Sequence, residues 1–176
     1  QSTTITDSNF VNCSATTQGG AIHQQGFCTS NITRTHFVSN AAKNGDGGSI
    51  WSQNSDISID SSEFMHTVAS RGSSFPGNGG AIYSEGQGVL VMRDTKVTNA
   101  TADGDGAAIY RVSHAAADDT LERTGSSFVH CSAPQGSGGA VFVSGVIVAT
   151  VGNSSFRGCS TGAVGGAVAM SSTATT

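Results

Sequence analysis

Six times along the chain a short run of small residues ends on a β-branched aliphatic: GGAI from Gly19, GGSI from Gly47, GGAI from Gly79, GAAI from Gly106, GGAV from Gly138 and GGAV from Gly165. The intervals are 28, 32, 27, 32 and 27 residues. A near-constant period of this length marks a repeat architecture, and it constrains the fold more than any local propensity does. A second anchor travels with the first. Phe10, Phe37, Phe64, Val97, Phe128 and Phe156 each precede their glycine pair by 9 or 10 residues, except in the third repeat, where the interval is 15. The additional residues there, Arg71 to Pro76, read as a loop insertion.

Upstream of the Phe anchors lie short segments in which every second residue is apolar, such as Ile57 and Ile59, Leu90 and Met92, and Ala149 and Val151. Period two means strand. A repeat near 28 residues holds about three strands of three to five residues separated by Gly, Asn, Ser and Asp turns, too short for hairpin blades and without helices. The expected fold is therefore all-β, a right-handed parallel β-helix of about six coils. Residues 1–176 form a single domain of six repeats of 27–32 residues. Coils stacked about 4.8 Å apart place the Phe and Ile columns in a continuous interior, and six of them make a rod on the order of 30 Å long. The glycine pair suits a corner, where the chain needs positive φ or where a side chain would strike the next coil. Ile22, Ile50, Ile82, Ile109, Val141 and Val168 should face inward, and the residue after each should face out.

Composition agrees with a folded, turn-rich β protein. Charged residues make up only 11%, Gly reaches 24, and Ser and Thr number 26 and 19. Disorder combines low hydrophobicity with high net charge, whereas 36% of this chain is hydrophobic and its net charge is −4. The eight Lys and Arg are scattered singly, so no basic stripe exists to neutralise phosphates, and nucleic acid is excluded as a partner. No apolar run approaches the roughly 20 residues of a membrane span, and Gln1 to Ile5 lacks an export signal.

The tetrapeptide GGA(I/V), present in four of the six repeats, and FxxN, present at Phe37 to Asn40, resemble the repeats of the chlamydial polymorphic outer-membrane proteins. The resemblance spans nearly the whole chain. Cys13, Cys131 and Cys159 take the Asn place in three repeats, and Thr67 and Ala100 take it in two. What the resemblance implies is a parallel β-helical passenger domain with an adhesive role.

The outward places after each inward Ile or Val are filled by His23, Trp51, Tyr83, Tyr110, Phe142 and Ala169. An aromatic strip on one face is the sharpest candidate site, because flat rings one rung apart can stack on sugars or bury against another subunit. The alternative is that aromatics favour strands and stack on one another. Asp46, Asp103 and Asp105 are weak candidates for a metal, since Asp before Gly is an ordinary turn residue and the remaining ligands of a calcium loop are missing, so no cofactor is expected. Cys13, Cys28, Cys131 and Cys159 are candidate disulfide formers: Cys131 and Cys159 fall in equivalent places of adjacent coils, at a separation that a bridge allows, and Cys13 and Cys28 share the first coil. Burial of free thiols in an interior column is the competing reading. Asn12, Asn31, Asn99 and Asn153 stand in Asn-X-Ser/Thr sequons and are candidate N-glycosylation sites in a eukaryotic secreted protein, although a chain this rich in Ser and Thr yields some by chance.

Catalysis finds little support. Asp118 and Asp119 fall in one irregular turn, Asp7, Asp56, Asp60 and Asp94 do not share an outward column, and His23, His36, His66, His114 and His130 fall in different repeat positions, except that His66 and His130 share one two coils apart. A polysaccharide lyase or hydrolase is accordingly the least favoured function. The leading expectation is a non-enzymatic, extracellular or cell-surface structural module, a building block of a fibril, filament or adhesin stalk, with a carbohydrate-binding adhesin as the alternative. Neither end reads as a cap, and joining Thr176 to Gln1 continues the repeat nearly in phase. Head-to-tail self-association or membership of a longer repeat array is therefore expected, with glycans as a further class of partner.

Overall fold

A computed structural model describes residues 1–113, 120–145 and 148–171. The first coil is built from four strands, β1 (Ser2–Thr6), β2 (Asn9–Val11), β3 (Ser14–Ala15) and β4 (Ile22–Gln25). The same four recur in each later coil and assemble into four six-stranded sheets, every strand parallel to its equivalents one coil away. The chain is thus a parallel β-helix of six coils, as the repeat requires. The expectation of about three strands per coil is corrected to four. The strand missed is the equivalent of β3, only two residues long, which is too short for alternation to announce it.

Register follows the sequence anchors. Phe10, Phe37, Phe64, Val97, Phe128 and Phe156 lie opposite one another along the second sheet. Neighbouring rings stack nearly parallel, with centroids 5.0 Å apart for Phe10 and Phe37, 4.5 Å for Phe37 and Phe64, and 5.0 Å for Phe128 and Phe156. The first sheet contributes an aliphatic column through Ile5, Ile32, Ile59 and Met92, and the fourth sheet contributes the column from Ile22 to Val168. Ala42, Ala69, Ala102 and Ala133 line the third sheet, completely buried. Removing these apolar surfaces from water is the main stabilising term, and in-register stacking delivers it repeatedly from one small set of side chains.

The corners explain much of the polar composition. The first glycine of each pair has φ between 62° and 70° in all six coils. At Gly20, Gly48, Gly80 and Gly139 the neighbouring coil leaves no room for a side chain on the second residue, a Cβ on Gly48 lying 2.1 Å from the Gly80 carbonyl oxygen, whereas the fourth coil carries Ala107 there and Gly166 has open space. Two further corners use the left-handed region with residues that are mostly not glycine. Between the first and second strands of each coil stand Asp7, Arg34, Ser61, Asp94, Gly125 and Asn153, and between the second and third stand Asn12, Ser39, His66, Asn99, His130 and Gly158, all at positive φ. Asn, Asp and His tolerate that conformation better than most residues. Residues 71–76 form the expected insertion, a strandless loop in which Gly72 N–H donates to the Phe75 carbonyl.

Candidate functional site

The strip's residues come together in one ladder. His23, Trp51, Tyr83, Tyr110 and Phe142 are in register along the fourth sheet. Their rings lie face to face, with centroids 4.4, 6.1, 5.0 and 5.3 Å apart and interplanar angles of 14°, 2°, 8° and 6°. Every inner ring therefore has both faces covered by its neighbours. Trp51 and Tyr83 are only 4% and 8% exposed, Tyr110 and Phe142 are half-buried, and His23 is exposed. Stacking between coils, the second of the two readings of the strip, covers the flat surfaces a sugar ring would need and leaves His23 as the exposed member.

The polar atoms of the ladder are engaged in the same manner. Tyr83 donates its hydroxyl to Glu85 Oε2 at 2.5 Å, and its phenol is pushed well above its usual range by burial, then by that bond. Burial likewise raises Tyr110 to about 12, with the Asp105 carboxylate adding to the effect. Trp51 Nε1 is buried without an acceptor and cannot address a ligand hydroxyl. Beside the rings runs a second ladder, in which Gln25 Nε2 donates to Gln53 Oε1 at 2.8 Å and Gln53 Nε2 to Glu85 Oε1 at 3.5 Å.

The carboxylates proposed for a metal have another use. Asp46 Oδ1 accepts the Asn78 backbone N–H at 2.7 Å, Asn78 Oδ1 accepts that of Asp105 at 2.8 Å, and Asp105 Oδ1 accepts that of Ser137 at 2.6 Å. Asp46, Asn78 and Asp105, each just before the turn glycine, thus cap their equivalents in the next coil. Asp103 Oδ2 accepts the Arg71 N–H at 2.8 Å. Among the described residues no three His, Cys, Asp or Glu side chains converge as a metal would require. Asp46 is buried, and burial raises its carboxyl above the usual range despite the backbone bonds it accepts.

A parallel hydroxyl ladder was not foreseen. Ser8, Thr35, Ser62, Thr95, Ser126 and Ser154 stand two residues before the Phe anchors, and each hydroxyl donates to the carbonyl two residues back, at 2.7 to 3.2 Å. The hydroxyls of Ser62, Ser126 and Ser154 also accept the backbone N–H of Thr35, Thr95 and Ser126 from the coil before. The signal was present as Ser or Thr at one repeat position in all six coils.

All four cysteines are free thiols. Cys13 and Cys28 are not brought together: the Cys13 thiol points to the Val11 carbonyl, and that of Cys28 to the carbonyls of Gln25 and Gly26. Cys131 and Cys159 are neighbours in adjacent coils, the Cys131 thiol directed to the Val97 and Val129 carbonyls and the Cys159 thiol to those of Phe128 and Arg157. The sequon residues Asn12, Asn31 and Asn153 are exposed and Asn99 is half-buried, and three of them occupy left-handed corners. The Asn side chains that hold coils together are others, notably Asn40, whose Oδ1 accepts the Cys13 N–H and whose Nδ2 donates to the Phe10 carbonyl.

Of the candidate catalytic groups, His114, Asp118 and Asp119 lie outside the described residues. His36 faces Glu63 at 3.5 Å in an outward ladder that ends on Lys96, 3.1 Å from the other Glu63 oxygen. Asp7 pairs with Arg34 at 2.7 Å on the open surface.

Compared with known protein families, curated proteins and solved structures, the chain has no match in any of the three.

One arrangement stands apart. Arg123 occupies the inward column after Met92 and is completely buried, with Nε and both terminal nitrogens lacking any hydrogen-bond acceptor. Its guanidinium carbon lies 5.4 Å from the Phe128 ring centre and 5.7 Å from that of Phe156. Burial lowers its pKa to about 10. Arg111, also fully buried, instead donates to the Ser84 hydroxyl at 2.9 Å and the Gly88 carbonyl at 2.6 Å.

Proposed function

We propose that this chain is a non-enzymatic structural module of the extracellular space or cell surface, a length of stalk or fibril built from stacked coils. The observation that carries the reading is that side chains able to form a site are engaged by their own equivalents one coil away. The aromatic faces stack on each other, the turn carboxylates cap backbone N–H groups, and the hydroxyls and glutamines form ladders. Chemistry or tight ligand binding needs polar groups that converge on a reactant, whereas here they run in lines along the rod. Such an arrangement supports a length-spanning role, in which more coils are added on either face by the same chain or another copy.

Electron microscopy of the purified protein tests the proposal. Rods or filaments of one coil's width, lengthening with concentration, are expected. The adhesin alternative is distinguished by a glycan array: binding lost on Trp51→Ala or Tyr83→Ala, with rods absent, would replace the structural reading. Cleavage of a uronic-acid polymer by the protein would replace both.

A further inference from the structure

Of the four cysteines, two meet. Cys131 and Cys159 immediately precede the third-sheet strands Ser132–Ala133 and Ser160–Thr161, which pair in parallel with Ser132 opposite Ser160. The Ser160 N–H donates to the Cys131 carbonyl at 2.9 Å, so the two cysteines sit on consecutive rungs of one column. Consecutive rungs are about 4.8 Å apart, inside the Cα separation of about 4.4 to 6.8 Å that a disulfide accepts. The column itself explains why no other pair forms there: Cys13 has Asn40 as its neighbour, followed by Thr67 and Ala100.

We propose that Cys131 and Cys159 are a redox pair that closes into a disulfide across the fifth and sixth coils by exchange with a small-molecule disulfide such as oxidised glutathione. The two members are not equivalent, and their difference sets the order of events. Cys131 is completely buried, whereas Cys159 is half-buried and reachable from outside. The adjacent Cys159 thiol and burial push the Cys131 thiol up. The Cys131 thiol beside it holds the Cys159 thiol below its usual range against the opposing effect of burial. Cys159 is therefore the attacking thiolate and Cys131 the resolving thiol.

In the first step the Cys159 sulfur bonds to one sulfur of oxidised glutathione, the external S–S bond breaks, and one glutathione thiolate leaves. Cys131 then loses its proton to the departing thiolate or to water, and its sulfur displaces the second glutathione from Cys159. Two protein thiols are oxidised to one disulfide, and one external disulfide is reduced to two thiols, with two electrons transferred. The bridge ties the sixth coil to the fifth through the interior, next to the stacked rings of Phe128 and Phe156. This pairing is independent of the structural role proposed above, which is decided by rod formation.

The test uses the whole chain, reduced, freed of reductant, exposed to oxidised glutathione near neutral pH, blocked with iodoacetamide and weighed intact. The expected product has lost two hydrogens, carries two alkyl groups instead of four, and yields a Cys131–Cys159 peptide on digestion. Its Tm should rise by roughly 5 °C or more over the reduced protein. In Cys131→Ser the reaction should stop at one glutathione held on Cys159, and in Cys159→Ser Cys131 should stay unmodified. Four alkylated thiols after oxidation of the unaltered chain, a lasting glutathione adduct on it, or a bridge involving Cys13 or Cys28 would each overturn the assignment.

Discussion

Replacing Arg123 by Met should stabilise this protein, although Arg123 is one of its most deeply buried side chains. Met92 fills the equivalent place one coil earlier, fully buried, so an unbranched apolar chain of that length already fits the column. Burial brings the guanidinium from 12.5 to about 10, a displacement that corresponds to about 3 kcal/mol held against the folded state at neutral pH. Two contacts with phenyl rings, at 5.4 and 5.7 Å, offset about 1–2 kcal/mol of this. The net gain for Met is about 1–2 kcal/mol, in line with other exchanges of buried charge for well-packed apolar groups, and for a chain of this size it raises Tm by about 2–8 °C. The pH dependence supplies an internal control. The native state sheds the Arg123 proton near its lowered pKa while the unfolded chain keeps it to higher pH, so stability of the parent rises through that window and its deficit against the Met variant shrinks. Thermal unfolding followed by circular dichroism at about pH 7 and about pH 11 reads both effects. A Met variant melting at or below the parent at neutral pH, or a gap that does not narrow in alkali, would refute the reasoning.

Five further substitutions probe the ladders and corners. Phe64→Ala removes a completely buried ring stacked 4.5 Å from Phe37 and should cost about 3–5 kcal/mol by denaturant unfolding. Gly48→Ala drives a Cβ to 2.1 Å from the Gly80 oxygen and 2.6 Å from that of Val68, costing about 3 kcal/mol or more. Gly152→Ala meets only Thr124 Cγ2 at 3.6 Å and should be neutral or gain up to about 1 kcal/mol. Asp46→Ala leaves the Asn78 N–H without its acceptor, at a cost of about 1–3 kcal/mol, while Asp46→Asn keeps an oxygen in place. Because burial raises the Asp46 carboxyl, its charge opposes folding above that raised value and not below the ordinary carboxylate range. The Asn variant should therefore exceed the parent in Tm at neutral pH and lose that advantage on acidification.

The coil count, the Phe column, the inward Ile and Val, and the insertion at 71–76 were all legible in the sequence, since each is a bulky or conformationally special residue at a fixed interval. The hydroxyl ladder was as regular, yet Ser and Thr are so frequent here that a fixed place for them did not stand out. The left-handed corners were hidden for a related reason: Asp7, Arg34, Ser61 and Asp94 share a backbone conformation without sharing a chemistry. Trp51 and Tyr83 were correctly placed on the outer face, but alternation reports only which side a residue takes, and their burial depends on ring-on-ring contact between coils. Arg123 escaped notice because an inward column of Ile and Met gives no warning of a cation in its next place.

Strands in this fold lie across the rod, so the hydrogen bonds that join coils point along it. A pull on the two ends consequently loads one interface at a time, and coils detach singly, each releasing its length of chain before the next begins to yield. A sideways push is resisted differently, by covalent backbone running around every coil. A solenoid of this design gives way under tension in small steps and stays stiff against bending.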